Sequence, residues 1–349
     1  MKTIYIHGGY QRCATTFLQQ NIFSKLKDFK CLSKPREFFS GVKKVNYYDK
    51  NSNHLDSQID KLYTLQELAF VRRYGVKSTT LRNNSSHIKK YKELLLNILT
   101  TSHYNKFILS DETLFDRLNY FGDENILDWK NIAEYLKNNL EIEVKIILTV
   151  RKQSNLLASI YAFDNHRQEK KFDNFNKFVD NFTSEKNKNS EIFNFNYRYR
   201  TLKDLFKCEI IVLLLEELEQ DKNSYKNRLS KFLNTNFDES LNWENSKIKT
   251  LSTDSKKNNF LIYANKYQLI YDFFSQVHKF LLLNKFYKNN LIKYAKSANI
   301  FLRKFMKITT KKGFSVSEEN TKKIKLFYTS SNKELEKSTG LNLGDFNYY

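Results

Sequence analysis

The sequence predicts an α/β fold, a three-layer sandwich in which a central parallel sheet carries helices on both faces. Three observations lead to this expectation. The chain opens with a short β-rich run that passes through two glycines into helical periodicity. Further short apolar runs follow at Phe107–Ser110, Val144–Val150 and Glu209–Leu215. Helical patterns come after the last two, at Ser154–Asp164 and Ser224–Leu233, and strands alternating with helices are the mark of parallel strands joined by helical crossovers.

Taken in order, Thr3–His7 (TIYIH) reads as a strand entering a tight loop at Gly8-Gly9. From Thr15 onward, Phe17, Leu18, Ile22 and Leu26 recur at helical spacing, so a helix follows. Residues 40–100 and 165–200 are polar, aromatic and irregular, and read as insertions that shape a pocket. Residues 256–312 hold thirteen Lys/Arg against one acidic residue, Asp272, among many Phe, Tyr and Leu. That pattern predicts two or three basic amphipathic helices. Their lysines serve either as a solvated face over an apolar core or as a surface for a polyanion or anionic lipid. A single proline (Pro35) and eight glycines argue against a string of linked modules, so residues 1–349 read as one domain.

The net charge of +21 points to anionic partners. Lys, Asn, Ile, Phe and Tyr are all heavily used, however, so the charge is partly a compositional habit and a specific nucleic-acid partner is not expected. Three cysteines (Cys13, Cys31, Cys208) without metal-ligand spacing argue against a disulfide framework or a zinc site and fit a reducing compartment. The N-terminus lacks the apolar run of a signal peptide. The longest apolar run, Ile210–Leu215, is too short to span a bilayer. The expected location is cytoplasmic, with the basic segment offering peripheral contact with an anionic membrane face.

Two segments carry chemistry. Gly8-Gly9-Tyr10-Gln11-Arg12-Cys13-Ala14-Thr15-Thr16 lies between the first strand and its helix, where unpaired N–H groups and the positive dipole end attract an anion. Arg12 adds a fixed cation, and Thr15 and Thr16 add hydroxyls. Aligned on the Walker A pattern from Gly9, Ala14 takes the second glycine position and Thr15 the lysine position, so the lysine that contacts ATP phosphates is missing. The second segment is the strand Val144–Val150 running into Arg151-Lys152-Gln153-Ser154, with Ser159 eight residues beyond Arg151. Arginine at the carboxyl end of a strand, with a hydroxyl two helical turns on, suits a phosphate monoester.

Arg12-Cys13-Ala14-Thr15-Thr16-Phe17-Leu18 resembles the 5'-phosphosulfate loop of sulfotransferases that use 3'-phosphoadenosine 5'-phosphosulfate (PAPS). That loop runs Lys/Arg-Ser/Thr-Gly-Thr-Thr-x-Leu, so Cys13 and Ala14 are departures. Arg151, Ser159 and Tyr161 match the spacing of the family's 3'-phosphate motif, with Gln153 where a proline is common. Phe107–Phe115, Phe195–Glu217 and the run from Ser331 to Leu343 are also similar to stretches of the family, and Lys311-Lys312-Gly313 resembles its loop over the 3'-phosphate. The resemblance implies a P-loop-containing sandwich and PAPS as donor, with no metal. Arg12, Cys13, Ala14, Thr15, Thr16, Arg151 and Ser159 would be the donor-binding residues, and Arg12 would stabilise charge on the leaving phosphate. For the general base it implies Glu37, in Pro35-Arg36-Glu37-Phe38-Phe39. Glu112, with Asp111, follows the strand Phe107–Ser110, and His7 is a further candidate. The acceptor implied is a glycan or another small hydroxyl or amine compound. A P-loop phosphotransferase and a non-catalytic polyanion-binding protein are the competing readings.

Overall fold

A run of β-branched and aromatic residues makes Lys2–Gly9 a strand (β1), and burial from Ile4 through Gly9 marks it as covered on both faces. The computed structural model describes residues 1–10, 12–33, 61–62, 85–111, 124–163, 172–186, 188–244, 259–265 and 309–349. The chain divides into two units: Met1–Leu156, Phe182–Asn245 and Lys323–Tyr349 form one, and Leu157–Asn181 and Ser246–Lys322 the other.

The first unit is built on a five-stranded parallel sheet in the order β2-β3-β1-β4-β5. Its other strands are β2 (Phe29–Ser33), β3 (Lys106–Ser110), β4 (Ile142–Val150) and β5 (Glu209–Leu214). A helical segment, α1, follows β1. It starts as one α-turn at Thr15–Phe17, widens to π geometry over Leu18–Ile22 and tightens to 3-10 over Phe23–Lys25. Helices α2 (Ser85–Thr101) and α3 (Glu124–Asn139) flank β3, and α4 (Gln153–Phe163) follows β4. The architecture is therefore α/β, a parallel sheet flanked by helices, consistent with three layers. Its core is apolar and closely filled: Ile4, Ile6, Phe107, Leu109, Ile146, Leu148, Val150 and Leu213 are all buried.

The local expectations are corrected in several places. Gly8 and Gly9 belong to β1, so the turn begins two residues later than the glycines suggest. Residues 85–101, within the first irregular stretch, form α2 because Tyr91, Leu95, Ile98 and Leu99 fall on one stripe and are buried. The second irregular stretch holds a helix at Phe175–Phe182 (α5) and a 3-10 turn at Lys188–Phe193, and Phe195–Phe206 (α6) begins there. Leu215 leaves β5 to open a short helix, α7 (Leu215–Gln220), which is followed by α8 (Lys222–Leu233).

In the second unit, Tyr161 on α4 packs its ring against Phe175 and Phe178, and Phe172 meets Phe178 edge-on. Asn320 on α9 (Glu318–Thr339) donates to Asn176 at 2.8 Å. Asn259–Asn265 (β6) and Thr309–Ser315 (β7) pair antiparallel, with Gly313 opposite Leu261. Residues 259–265 and 309–312 of the basic segment are thus strand rather than helix. FLIYA is an unbroken run of β-favouring side chains, and a lysine count says nothing about periodicity. Lys311-Lys312-Gly313 lies in the β7 ladder rather than in a loop. Residues 266–308 lie outside the described residues. Among the described residues, no helix is long and apolar enough to cross a membrane.

The β1–β4 pairing sets Gly9 opposite Thr149, and a Cβ added at Gly9 would lie 2.1 Å from Thr149 Oγ1 and 2.5 Å from its carbonyl oxygen. The second contact is to backbone, so a rotamer change alone does not relieve it. Gly9→Ala is therefore expected to destabilise the fold by about 1–3 kcal/mol, the usual cost of overpacking. Urea unfolding checks this; a midpoint equal to that of the parent would mean that the strands separate freely.

Candidate anion-binding site

The site starts from the register of β1 and β4. Both strands run the same way and are paired residue for residue from Lys2↔Ile142 to Gly9↔Thr149. Their carboxyl ends therefore release two loops side by side. The chain leaves β1 toward β2 on one side of the sheet order and leaves β4 toward β5 on the other. Such a divergence opens a crevice at the carboxyl edge, the place where open α/β sheets collect ligands.

The loop after β1 is anchored before it turns. Tyr10 N–H donates to the Thr149 carbonyl at 3.3 Å, and the Tyr10 hydroxyl donates to the Ile192 carbonyl at 2.6 Å. Its ring packs between Phe193 and Phe195. Beyond Tyr10 the backbone is left-handed at Arg12 (φ 71°) and again at Ala14 (φ 60°), with Cys13 between them outside that region. Alternating handedness of this kind turns successive N–H groups toward one concave side, a geometry suited to anions. Arg12 is exposed, Cys13 and Thr15 are buried, and Thr16 is half-buried. Ala14 is the N-cap of α1 and has no side-chain acceptor to offer the first turn; its carbonyl accepts from Leu18 N–H at 3.0 Å.

The loop after β4 brings the second cation. Arg151 is half-buried, and its Nε is enclosed with no hydrogen-bond partner among the described residues. Tyr348 and Glu219 lie within electrostatic reach of its guanidinium. Burial pulls the Lys152 ammonium below its usual range, with Glu216 opposing the shift. The Thr149 hydroxyl is buried and also lacks a partner among the described residues. Buried polar groups left open like this are uncommon away from sites that receive a ligand or water.

The end of β3 supplies a buried polar cluster. His7 Nδ1 lies 2.6 Å from Ser110 Oγ, and Gln19 Nε2 donates to Ser110 Oγ at 3.1 Å and to its carbonyl at 3.2 Å. Asp111 N–H donates to the His7 carbonyl at 3.0 Å, and the Asp111 side chain is buried. The His7 ring meets Phe23 edge-on. Desolvation drives the His7 pKa down to about 3, with Asp111 pulling weakly upward. A group with so low a proton affinity is a poor general base at neutral pH.

Arg12, Cys13 and Ala14 on the loop after β1, Thr15 and Thr16 in the first turn of α1, and Arg151 on the loop after β4 thus follow the ends of neighbouring strands. Ser159 and Tyr161 are both buried on α4 and belong to the second unit. Glu37 and Glu112 lie outside the described residues. Among the described residues no group of His, Cys, Asp and Glu side chains is arranged to hold a metal ion. The sequence reading missed Gln19, Gln153, Glu216, Asn332 and Tyr348. Gln153 and Asn332 are 179 residues apart and Tyr348 and Glu216 are 132 apart, so no local spacing announces their bonds. No family model matches the chain, and no curated protein matches it.

Two outcomes follow from this geometry. Ala14→Gly should raise stability by about 0.5–1 kcal/mol, because glycine takes φ 60° without the Cβ clash. A loss of stability in urea unfolding would mean that the left-handed turn is not retained in solution. His7 is protonated more readily unfolded than folded, so the unfolded chain binds the extra proton and stability falls as pH drops from about 6.5 toward about 3. Each pH unit in that window costs about 1.4 kcal/mol. His7→Asn keeps an amide near the Nδ1 position and should flatten the profile by about that slope between pH 6 and 4; an unchanged slope would remove His7 as its source.

Proposed function

We propose that this protein is a PAPS-dependent sulfotransferase on a P-loop-containing sandwich, acting on a hydroxyl or amine, with a glycan as the favoured acceptor class. The observation that carries the reading is the placement of the two motifs. The segments that resemble the 5'-phosphosulfate loop and the 3'-phosphate motif start from adjacent, in-register parallel strands, at the edge where strand order reverses. A nucleotide with phosphates on both its 3' and 5' positions needs two separate anion sites, and the reading assigns one to each of the loops that leave these neighbouring strands. The backbone at Ala14 adds support: the residue in the family's glycine position adopts the positive φ that a glycine would.

In this reading the N–H groups of the loop, with Thr15 and Thr16, hold the 5'-phosphosulfate. Arg12 lies on the solvent side of the loop and takes up negative charge as it develops on the bridging oxygen. Arg151, with an open Nε, binds the 3'-phosphate. The acceptor oxygen forms a bond to sulfur as the bond from sulfur to the bridging phosphate oxygen breaks. The acceptor proton passes to a carboxylate, for which Glu37 is the first candidate and Glu112 the second. Adenosine 3',5'-bisphosphate leaves. A P-loop phosphotransferase is less favoured because Thr15 stands where the Walker lysine would be.

Isothermal titration with adenosine 3',5'-bisphosphate, beside 5'-AMP and ATP–Mg, tests the reading directly. The bisphosphate is expected to bind at least about tenfold more tightly than 5'-AMP, and Arg151→Ala should remove about 1.5–3 kcal/mol of that affinity, the usual scale for a charge-assisted pair. Equal binding of the two nucleotides would overturn it. A clear preference for ATP–Mg would favour the phosphotransferase.

A further inference from the structure

Within the first unit, residues 341–349 reach the anion site through a chain of buried hydrogen bonds. The Tyr348 hydroxyl donates to Glu216 Oε2 at 2.7 Å. The other oxygen of Glu216 accepts from the Lys152 backbone N–H at 3.0 Å, so it grips the peptide that immediately follows Arg151. The Tyr348 carbonyl accepts from Asn332 Nδ2 at 3.1 Å. Asn332 and Gln153 exchange two side-chain amide bonds, at 2.8 and 3.1 Å, and Gln153 also donates to the Phe193 carbonyl at 3.3 Å. Both residues after Arg151 are therefore tied to α9 or to the segment that follows it.

Tyr348, Asn332, Gln153 and Glu216 are 1%, 0%, 2% and 4% exposed. A buried carboxylate and two buried amides are a poor way to gain stability, since well-packed apolar groups of the same volume do as well or better. What such a network adds is a fixed geometry, because each member has directional partners and few alternatives. The geometry it fixes is that of the Arg151–Lys152 backbone. The Arg151 side chain cannot be oriented through Nε, which has no partner among the described residues. Its direction depends instead on the peptide from which it projects.

We propose that Tyr348 is a positioning residue: acting through Glu216, it holds the 151–152 peptide so that Arg151 is aimed at the 3'-phosphate of the bound nucleotide. This rests on the reading of Arg151 given above. Tyr348→Phe removes the single hydroxyl and leaves the ring, with its edge contact to Phe195, in place.

The test is titration of the full chain with adenosine 3',5'-bisphosphate and with 5'-AMP, in the parent, Tyr348→Phe, Arg151→Ala and the double variant. Tyr348→Phe should weaken the bisphosphate by about tenfold, the scale of one hydrogen bond to a charged group, and leave 5'-AMP unchanged. In the Arg151→Ala background the same substitution should change neither, since residues acting through one group are non-additive. A general loosening of the fold would weaken both nucleotides together, and that result, like unchanged bisphosphate binding, would overturn the proposal. If the parent itself fails to prefer the bisphosphate, the sulfotransferase reading fails and the positioning role with it. Glu216→Gln interrupts the same link and replaces Tyr348→Phe should that variant not fold.

Discussion

The close pairing of β1 with β4 is the constraint on which the rest of the first unit depends. At its carboxyl end the two backbones approach so nearly that a methyl group at Gly9 would meet both the hydroxyl and the carbonyl of Thr149. The same Thr149 carbonyl accepts the N–H of Tyr10, so the ladder continues one residue past the strand and sets where the loop turns. Without that approach, the loop bearing Arg12 and the loop bearing Arg151 would not leave from neighbouring points. The glycine is needed for packing between strands, and its value to an anion site is indirect.

Beyond this anchor the backbone is strained, and the strain has an identifiable support. Positive φ at Arg12 and Ala14 costs roughly 1–2 kcal/mol for each residue that carries a Cβ. Such conformations persist only where their surroundings hold them. On one side stands Tyr10, bonded at both ends and packed between two phenylalanines. On the other stands α1, which begins at Thr15 and passes through a π segment. Single-turn π distortions occur often where a helix is adjusted to a site. A loop anchored in this way holds its backbone conformation before any ligand arrives, which reduces the reorganisation that binding requires.

Beside the Tyr348–Glu216 network, two further polar sets have different physical roles. His7, Ser110 and Gln19 tie β1, β3 and α1 together beneath the loop, and desolvation keeps the imidazole neutral there. Glu217, buried, and Arg228, half-buried, form an ion pair at the end of β5, where Arg228 also donates to the Val212 carbonyl. Burial raises the Glu217 pKa and the arginine opposes the rise, so the pair holds α7 and α8 against the strand. The first set joins the ends of β1 and β3 to α1, and the second joins α7 and α8 to β5.

The sequence by itself determined the elements whose signal is local. TIYIH followed by helical spacing marked β1 and α1, and the apolar runs at 107–110, 144–150 and 209–215 marked three more strands, the last one residue too long, because burial on both faces of a parallel strand requires continuous apolar side chains. The positions of Arg12, three residues past β1, and of Arg151, immediately after β4, were legible for the same reason, since both are set by a strand end. Phe29–Ser33 escaped notice because FKCLS mixes lysine and serine into a short strand. Only the tertiary structure decided the strand order, which makes β1 and β4 neighbours although more than 130 residues separate them. It also decided that Ala14 is left-handed, and that Tyr348 and Asn332 reach the peptide after Arg151. Each of these depends on contacts between segments far apart in the chain, and a hydrogen bond between distant residues leaves no periodicity to read.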